Sequence, residues 1–287
     1  MMPDIQGKEL AARAAGTLTL GADLTVNRLG FGAMRITGAG IWGEPPDRQN
    51  ALRVLRRAVE LGVNFIDTAD SYGPETSELL IAEALHPYPR DLVIATKGGL
   101  TRPAPNEWHR DASPAHLRQA CEASLRRLRL DCIDVYQLHA IDHKVPMEDS
   151  LGELEKLKRE GKIRHVGVSN FTVQDLERAR SIVPIVSVQN RYNASDRRYE
   201  DVIDYCERHE LAFIPWYPLA AGDHATNPGA TELAQIARDH NTTSAQAAIA
   251  WLLARSPAML PIPGTSSIAH LEENVAAASV IVRVPRT

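Results

Sequence analysis

Ile133-Asp134-Val135-Tyr136-Gln137-Leu138 is a short, largely apolar run. Met147–Glu160 follows it with Leu151, Leu154 and Leu157 at helical spacing, and His165-Val166-Gly167-Val168-Ser169 is a second short run. Gly161 stands where a helix end favours glycine. Two strand-like runs joined by one helix read as a βαβ unit with parallel strands and a right-handed crossover. The pattern continues in both directions. Leu29–Met34, Asn64–Asp67 and Leu92–Lys97 lie upstream; Val186–Gln189, Ala212–Trp216 and Met259–Ile262 lie downstream, giving eight runs.

Helical spacing fills the intervals. In Asp47–Leu61 the apolar positions Ala51, Val54, Leu55, Ala58 and Val59 share one face. Ser113-Pro114 places a capping serine before a proline at the first helical position. Thr172 with Asp175, and Thr243 with Gln246, have capping-box spacing. Glu200–His209, Thr231–His240, Thr243–Ala254 and Ser267–Ala278 are the remaining helical segments. Eight β/α units predict an α/β chain closed into a (β/α)8 TIM barrel; an open doubly wound sheet also fits the alternation. Thr17–Leu20 and Leu24–Val26, around Gly21-Ala22-Asp23, predict an N-terminal β-hairpin. Residues 1–16 read as a flexible arm and 17–287 as one domain.

Composition narrows the function. The 287 residues are 44% hydrophobic and 24% charged, with a formal net charge of −4. That sign disfavours nucleic acid as a partner. Cys121, Cys132 and Cys206 are too few and scattered for a disulfide framework or a cysteine-based metal site, which points to a reducing, cytoplasmic setting. No apolar run approaches the roughly 18 residues of a membrane span, and no signal-peptide pattern opens the chain.

Polar side chains cluster where barrel enzymes put their chemistry, at the C-terminal ends of strands. Asp67 ends the second run and Lys97 the third; His139 follows the fourth. Ser169 and Asn170 close the fifth, Gln189 the sixth and Trp216 the seventh, with Tyr72 five residues past Asp67. Any one of these could cap a turn or fill the barrel mouth. Together Asp67, Tyr72, Lys97 and His139 make a coherent proton-donating set. A phenol with a pKa near ~10 is a poor acid at neutral pH, and a neighbouring ammonium favours its anion. Asp67 can keep Lys97 charged, and a neutral His139 can orient a substrate oxygen. Such a site suits reduction of a carbonyl whose oxygen becomes an alkoxide. Gly38-Ala39-Gly40-Ile41-Trp42-Gly43 matches a dinucleotide fingerprint, but Glu44-Pro45-Pro46 blocks the helix that should follow, so it reads as a flexible loop. Pro263-Gly264-Thr265-Ser266-Ser267, leading into the last helix, is the better phosphate site. Trp216 offers a flat face to a nicotinamide ring.

Phe65-Ile66-Asp67-Thr68-Ala69-Asp70-Ser71-Tyr72-Gly73, Ala95-Thr96-Lys97-Gly98, Gln137-Leu138-His139, Gly167-Val168-Ser169-Asn170-Phe171, Val188-Gln189-Asn190 and Ile262-Pro263-Gly264 resemble the signatures of the aldo-keto reductases, in order, from about Thr17 to Ala278. The resemblance implies a barrel whose base the hairpin closes, and NADPH bound without a Rossmann domain. By motif position Tyr72 is the implied proton donor, tuned by Lys97 and Asp67, with His139 orienting substrate. Implied cofactor contacts are Gly32, Met34, Asp67, Ser169, Asn170, Gln189, Trp216, Tyr217, Pro218, Leu219, Ala221, Ile262, Gly264, Thr265, Ser266, His270, Glu273 and Asn274. Many family members carry lysine at the Gly264 position and arginine at the His270 position, which leaves NADH open as a second cofactor here. Gly32-Ala33-Met34-Arg35 with Gly40-Ile41-Trp42-Gly43, and Glu83-Ala84-Leu85-His86-Pro87-Tyr88-Pro89, resemble the bacterial branch that includes pyridoxal reductase. Met34, Trp42, Tyr72, Trp108 and His139 are the implied pocket walls for a small carbonyl substrate. A monomer is expected, with a dimer as the alternative, and no metal. Two other functions are the alternatives: an NADPH-binding regulatory subunit of the same fold, and a metal-dependent hydrolase using His139, Asp67 and Asp70. The hydrolase leaves Lys97, whose charge repels a metal, without a role.

Overall fold

The computed structural model describes residues 12–219 and 229–284. The hairpin β1 (Thr17–Leu20) and β2 (Leu24–Asn27) pairs antiparallel, Thr17 opposite Asn27. Then follow β3 (Phe31–Gly32), α1 (Arg48–Glu60), β4 (Phe65–Asp67), α2 (Thr76–Leu85) and β5 (Val93–Gly98). The pair β6 (Leu100–Thr101) and β7 (His109–Arg110) precedes α3 (Pro114–Leu128), β8 (Ile133–Leu138), α4 (Met147–Arg159), β9 (Ile163–Ser169), α5 (Val173–Arg180) and β10 (Ile185–Arg191). The chain ends with α6 (Glu200–Arg208), β11 (Ala212–Trp216), α7 (Ala230–His240), α8 (Ser244–Arg255) and α9 (Ile268–Ala276). Seven strands form one parallel sheet in the order β11-β10-β9-β8-β5-β4-β3.

The expected eighth strand, Met259–Ile262, closes the barrel through single hydrogen bonds rather than a ladder. Leu260 N–H donates to Phe213 O at 2.9 Å and Phe213 N–H to Ala258 O at 2.8 Å on one side; Gly30 N–H donates to Pro261 O at 2.9 Å on the other. Pro261 and Pro263 have no N–H to give, so a regular ladder cannot form there. Caps behave as their side chains require. Ser113 accepts from His116 N–H, and Thr172/Asp175 and Thr243/Gln246 both form capping boxes.

Strand alternation sets the layers. Phe65, Val93, Ala95, Val135, Val186, Ala212 and Ile214 point inward and pack with Leu20, Leu24 and Val26, so the hairpin plugs the N-terminal end of the barrel. Ile66 and Ile94 point outward against α1 and α2. Two residues further along their strands, the inward face carries Asp67, Lys97, Gln137 and Trp216; on β10 a register shift between Ile185 and Ser187 brings Gln189, three residues past Val186, to the same end. The arm expected over residues 1–16 is corrected at its end. Ala12–Ala15 form a 3-10 turn, with Ala12 buried and its N–H bonded to Leu61 O at 2.9 Å; residues 1–11 lie outside the described residues.

Candidate active site

Tyr72 is brought to the barrel by a loop that follows the neighbouring strand. Thr68 N–H donates to Ala95 O and Asp70 N–H to Lys97 O, and Tyr72 N–H closes a turn onto Ala69 O. Gly73 ends the turn at φ +90°, where a Cβ would meet Thr76 Cβ at 2.6 Å, so the turn requires glycine. His139 is held beside the end of β5 by its N–H bond to Gly98 O, 2.9 Å.

The four side chains expected to act together meet. Lys97 is 0% exposed, and its ammonium donates to Asp67 Oδ2 at 2.7 Å, Thr68 O at 2.8 Å and Tyr72 Oη at 3.2 Å. All three ammonium hydrogens are used. The His139 ring meets the Tyr72 ring edge-on, centroids 5.8 Å apart, and its Nδ1 lies 3.4 Å from Ser71 Oγ. Among the described residues Nε2 has no partner.

Burial and charge set the protonation states. Burial disfavours the Lys97 ammonium, but Asp67 and Tyr72 outweigh it and its pKa lies above the ordinary value. Burial, with Lys97 adding to it, pushes His139 well below 6.5, so the ring is neutral, as expected. Tyr72 is a correction. Burial pushes the phenol above its ordinary value near 10; Lys97 pulls it down, while Asp67 and Asp70 push it up. The ammonium offsets part of the burial cost without overcoming it.

A cavity of about 690 Å³ opens above this cluster. Of the expected cofactor and substrate residues, Gly32, Met34, Asp67, Tyr72, Trp108, His139, Ser169, Asn170, Gln189, Trp216, Tyr217, Pro218, Leu219, Ile262 and Gly264 line it. Thr265 and Ser266 line an adjoining cavity of about 350 Å³ with Met34, Arg35 and Gly264. His270, Glu273 and Asn274 line neither of these two. Trp42, expected as a pocket wall, lines neither of these two cavities; the Arg102 guanidinium lies 5.4 Å from its ring centroid and 3.8 Å from that of Trp108. Ala221 lies outside the described residues.

The amide groups at the mouth are tied to one another. Asn170, at φ +64°, donates to Ser169 Oγ at 3.0 Å and accepts from Trp216 Nε1 at 3.0 Å. Tyr217 also sits at positive φ, +63°. Two non-glycine residues in this region beside one cavity store strain where a ligand would bind. Gln189 Nε2 donates to Asp67 Oδ1 at 2.8 Å, and Gln137 Nε2 donates to the same oxygen at 2.9 Å.

Sequence reasoning missed three residues here. Gln137 belongs to a quoted motif and points inward by strand alternation, a signal that was available. Arg35 lines both cavities. Arg102 donates to the carbonyls of Glu107, Ile41, Ser71 and Gly40, tying the loop after β6 to the loops after β3 and β4. The Gly38–Gly43 loop, expected to be flexible, is pinned by this arginine and by Gly43 N–H to Gly73 O, 2.8 Å.

Known proteins resemble this chain in sequence and fold. The aldo/keto reductase family pattern matches residues 28–283. An uncharacterized oxidoreductase of Schizosaccharomyces pombe is 54% identical over 269 residues, 94% of this chain and 87% of that protein. Pyridoxine 4-dehydrogenase of Escherichia coli is 43% identical over 270 residues, 92% of this chain and 93% of that one. The solved structure of an aldo-keto reductase from Klebsiella pneumoniae in complex with NADPH matches with a TM-score of 0.78 and 29% identity, covering 93% of this chain and 90% of that one. A family match across nearly the whole chain, on a barrel whose polar strand ends converge on one cavity, makes this chain a member of the aldo/keto reductase family of oxidoreductases.

Proposed function

We propose that the chain reduces aldehydes and ketones to alcohols with NADPH, and that Tyr72 is the proton donor. The observation that carries this is the Lys97 ammonium, buried and bonded to both Asp67 and Tyr72 at the floor of the cavity. The cavity suits the cofactor chemically. Trp216 gives an aromatic face, Ser169, Asn170 and Gln189 give amide and hydroxyl groups, and the adjoining cavity gives hydroxyls and a cation. When bound, NADPH supplies the hydride that the carbonyl carbon accepts.

The chain's own residues handle the oxygen. His139 Nε2 orients the carbonyl, and Tyr72 gives its hydroxyl proton to that oxygen as negative charge develops on it. Lys97 then holds the phenolate, and Asp67 keeps Lys97 charged. A phenol whose pKa lies above 10 arrives with its proton in place, as a donor must.

Pyridoxal or a similar aromatic aldehyde is the substrate class favoured. The 43% identical relative is named for a pyridoxine reaction, and the cavity presents Met34 and Trp108 beside Tyr72 and His139. The test is a carbonyl panel that includes pyridoxal, run separately with NADPH and NADH and followed by absorbance. Rapid NADPH consumption with aromatic aldehydes is expected. Tight NADPH binding with no turnover of any carbonyl would instead leave the regulatory-subunit reading.

A further inference from the structure

The two adjoining cavities share Met34, Arg35 and Gly264 as walls. The smaller lies between the Gly38–Ile41 loop and Gly264-Thr265-Ser266, and among the described residues Arg35 is its only charged lining residue. Several arginines elsewhere hold carboxylates: Arg48 meets Glu83, Arg57 meets Glu272 and Arg118 meets Glu160. Arg35 has no hydrogen bond or ion pair among the described residues. Its backbone is well anchored, on a 3-10 turn whose Ala33 and Ile36 are buried and whose end is tied by Thr37 Oγ1 to Met34 O at 2.9 Å. An anchored backbone thus presents an unpaired cation at the walls of both cavities, a placement that suits an anionic ligand.

The opposite wall cannot supply that charge. A Cβ at Gly264 would lie 2.3 Å from Gly32 O, so no side chain fits there without parting two closely packed backbones. The same Cβ position is 3.7 Å from Arg35 Cγ. A cation at this wall therefore has to come from the β3 side, and Arg35 brings it. Thr265 Oγ1 accepts from Ser267 N–H at 3.0 Å, which leaves its own hydrogen to donate. Ser266 adds a second hydroxyl.

We infer that Arg35 is the cation that binds a phosphate of the dinucleotide, with the Thr265 and Ser266 hydroxyls completing the site. This rests on the NADPH reading above. A planar guanidinium can give a phosphate two parallel charge-assisted hydrogen bonds, the stronger kind.

The test is a fluorescence titration of wild type, R35M and R35K with NADPH and with NADH, at low and moderate salt. R35M keeps the apolar stem and removes the charge. It should weaken NADPH binding by roughly 10- to 100-fold and flatten its salt dependence; R35K should fall between it and wild type. Loss for NADPH alone assigns the contact to the 2′-phosphate, and equal loss for both cofactors assigns it to the pyrophosphate. Unchanged affinity for both in R35M, with wild type binding NADPH and melting temperatures equal, overturns the assignment. A wild-type protein that binds neither cofactor overturns the NADPH reading itself.

Discussion

Lys97 Nζ stands 3.2 Å from Tyr72 Oη, and Asp67 holds the same nitrogen at 2.7 Å. The ammonium and the carboxylate act on the phenol in opposite senses, and burial acts with the carboxylate. The sum leaves the phenol protonated through neutral pH. Lys97 therefore contributes most when the proton leaves, because only then does the phenol oxygen beside it carry a negative charge.

Tyr72→Phe removes the proton and keeps the ring. Turnover should fall by about 10²–10⁴-fold, the usual worth of a general acid. NADPH affinity should stay within about twofold of wild type, since the ring and its edge contact with His139 remain. Steady-state kinetics beside a binding titration checks both halves, and wild-type turnover in this variant would remove Tyr72 as the donor.

His139 gives a stability signature. Its folded pKa lies well below 6.5, so the folded protein takes up fewer protons than the unfolded chain. The stability this contributes is complete above about pH 6.5 and is lost as pH falls toward the folded value. His139→Gln should lose less of its melting temperature between pH 7.5 and pH 5 than wild type does. Parallel melting curves at the two pH values would disprove the account.

Asp70 carries the opposite sign. Its Oδ1 is enclosed and has no hydrogen-bond partner among the described residues; burial first, and then Glu78, pushes its pKa well above 3.8. Stability from this group is greatest below about pH 4 and is lost as pH rises through the folded value. Asp70→Asn should therefore melt higher than wild type at pH 7, by roughly 1 kcal/mol in stability. The gap should close toward pH 4, and thermal denaturation across that range measures it.

The strand ends were legible because a charged or amide residue closing an apolar run has few structural reasons to be there. Asp67, Lys97 and Gln189 announce themselves in this way. The helix α2 was not legible. Glu75 gives no side-chain cap, and the helix buries Ser77 and Glu78 as well as Leu80 and Ile81, which blurs the amphipathic period. Glu78 lies inside because Thr96 and Arg127, distant in sequence, both bond to it. The pair β6–β7 was hidden likewise. Each strand has two residues, and what fixes the loop between them is Arg102 reaching carbonyls up to 62 positions away. The proton affinity of Tyr72 is not legible in the sequence, because charge can be read from it but desolvation cannot.

Gln137 and Gln189 make one hydrogen bond each to the same oxygen of Asp67, yet only Gln189 lines the cavity. Their substitutions should separate. Gln137 is 0% exposed and its Oε1 has no partner among the described residues. Gln137→Met removes one donor from Asp67 and also removes that orphaned acceptor. The two effects offset in stability, so the melting temperature should move little. Asp67 is left less firmly positioned against Lys97, and turnover should drop about tenfold with NADPH affinity unchanged. Gln189→Met loses the same support and a polar group facing the cavity, so turnover and NADPH affinity should both fall. If Gln137→Met weakened the cofactor as much as Gln189→Met, the support of Asp67 and the binding of NADPH could not be separate functions of the two amides.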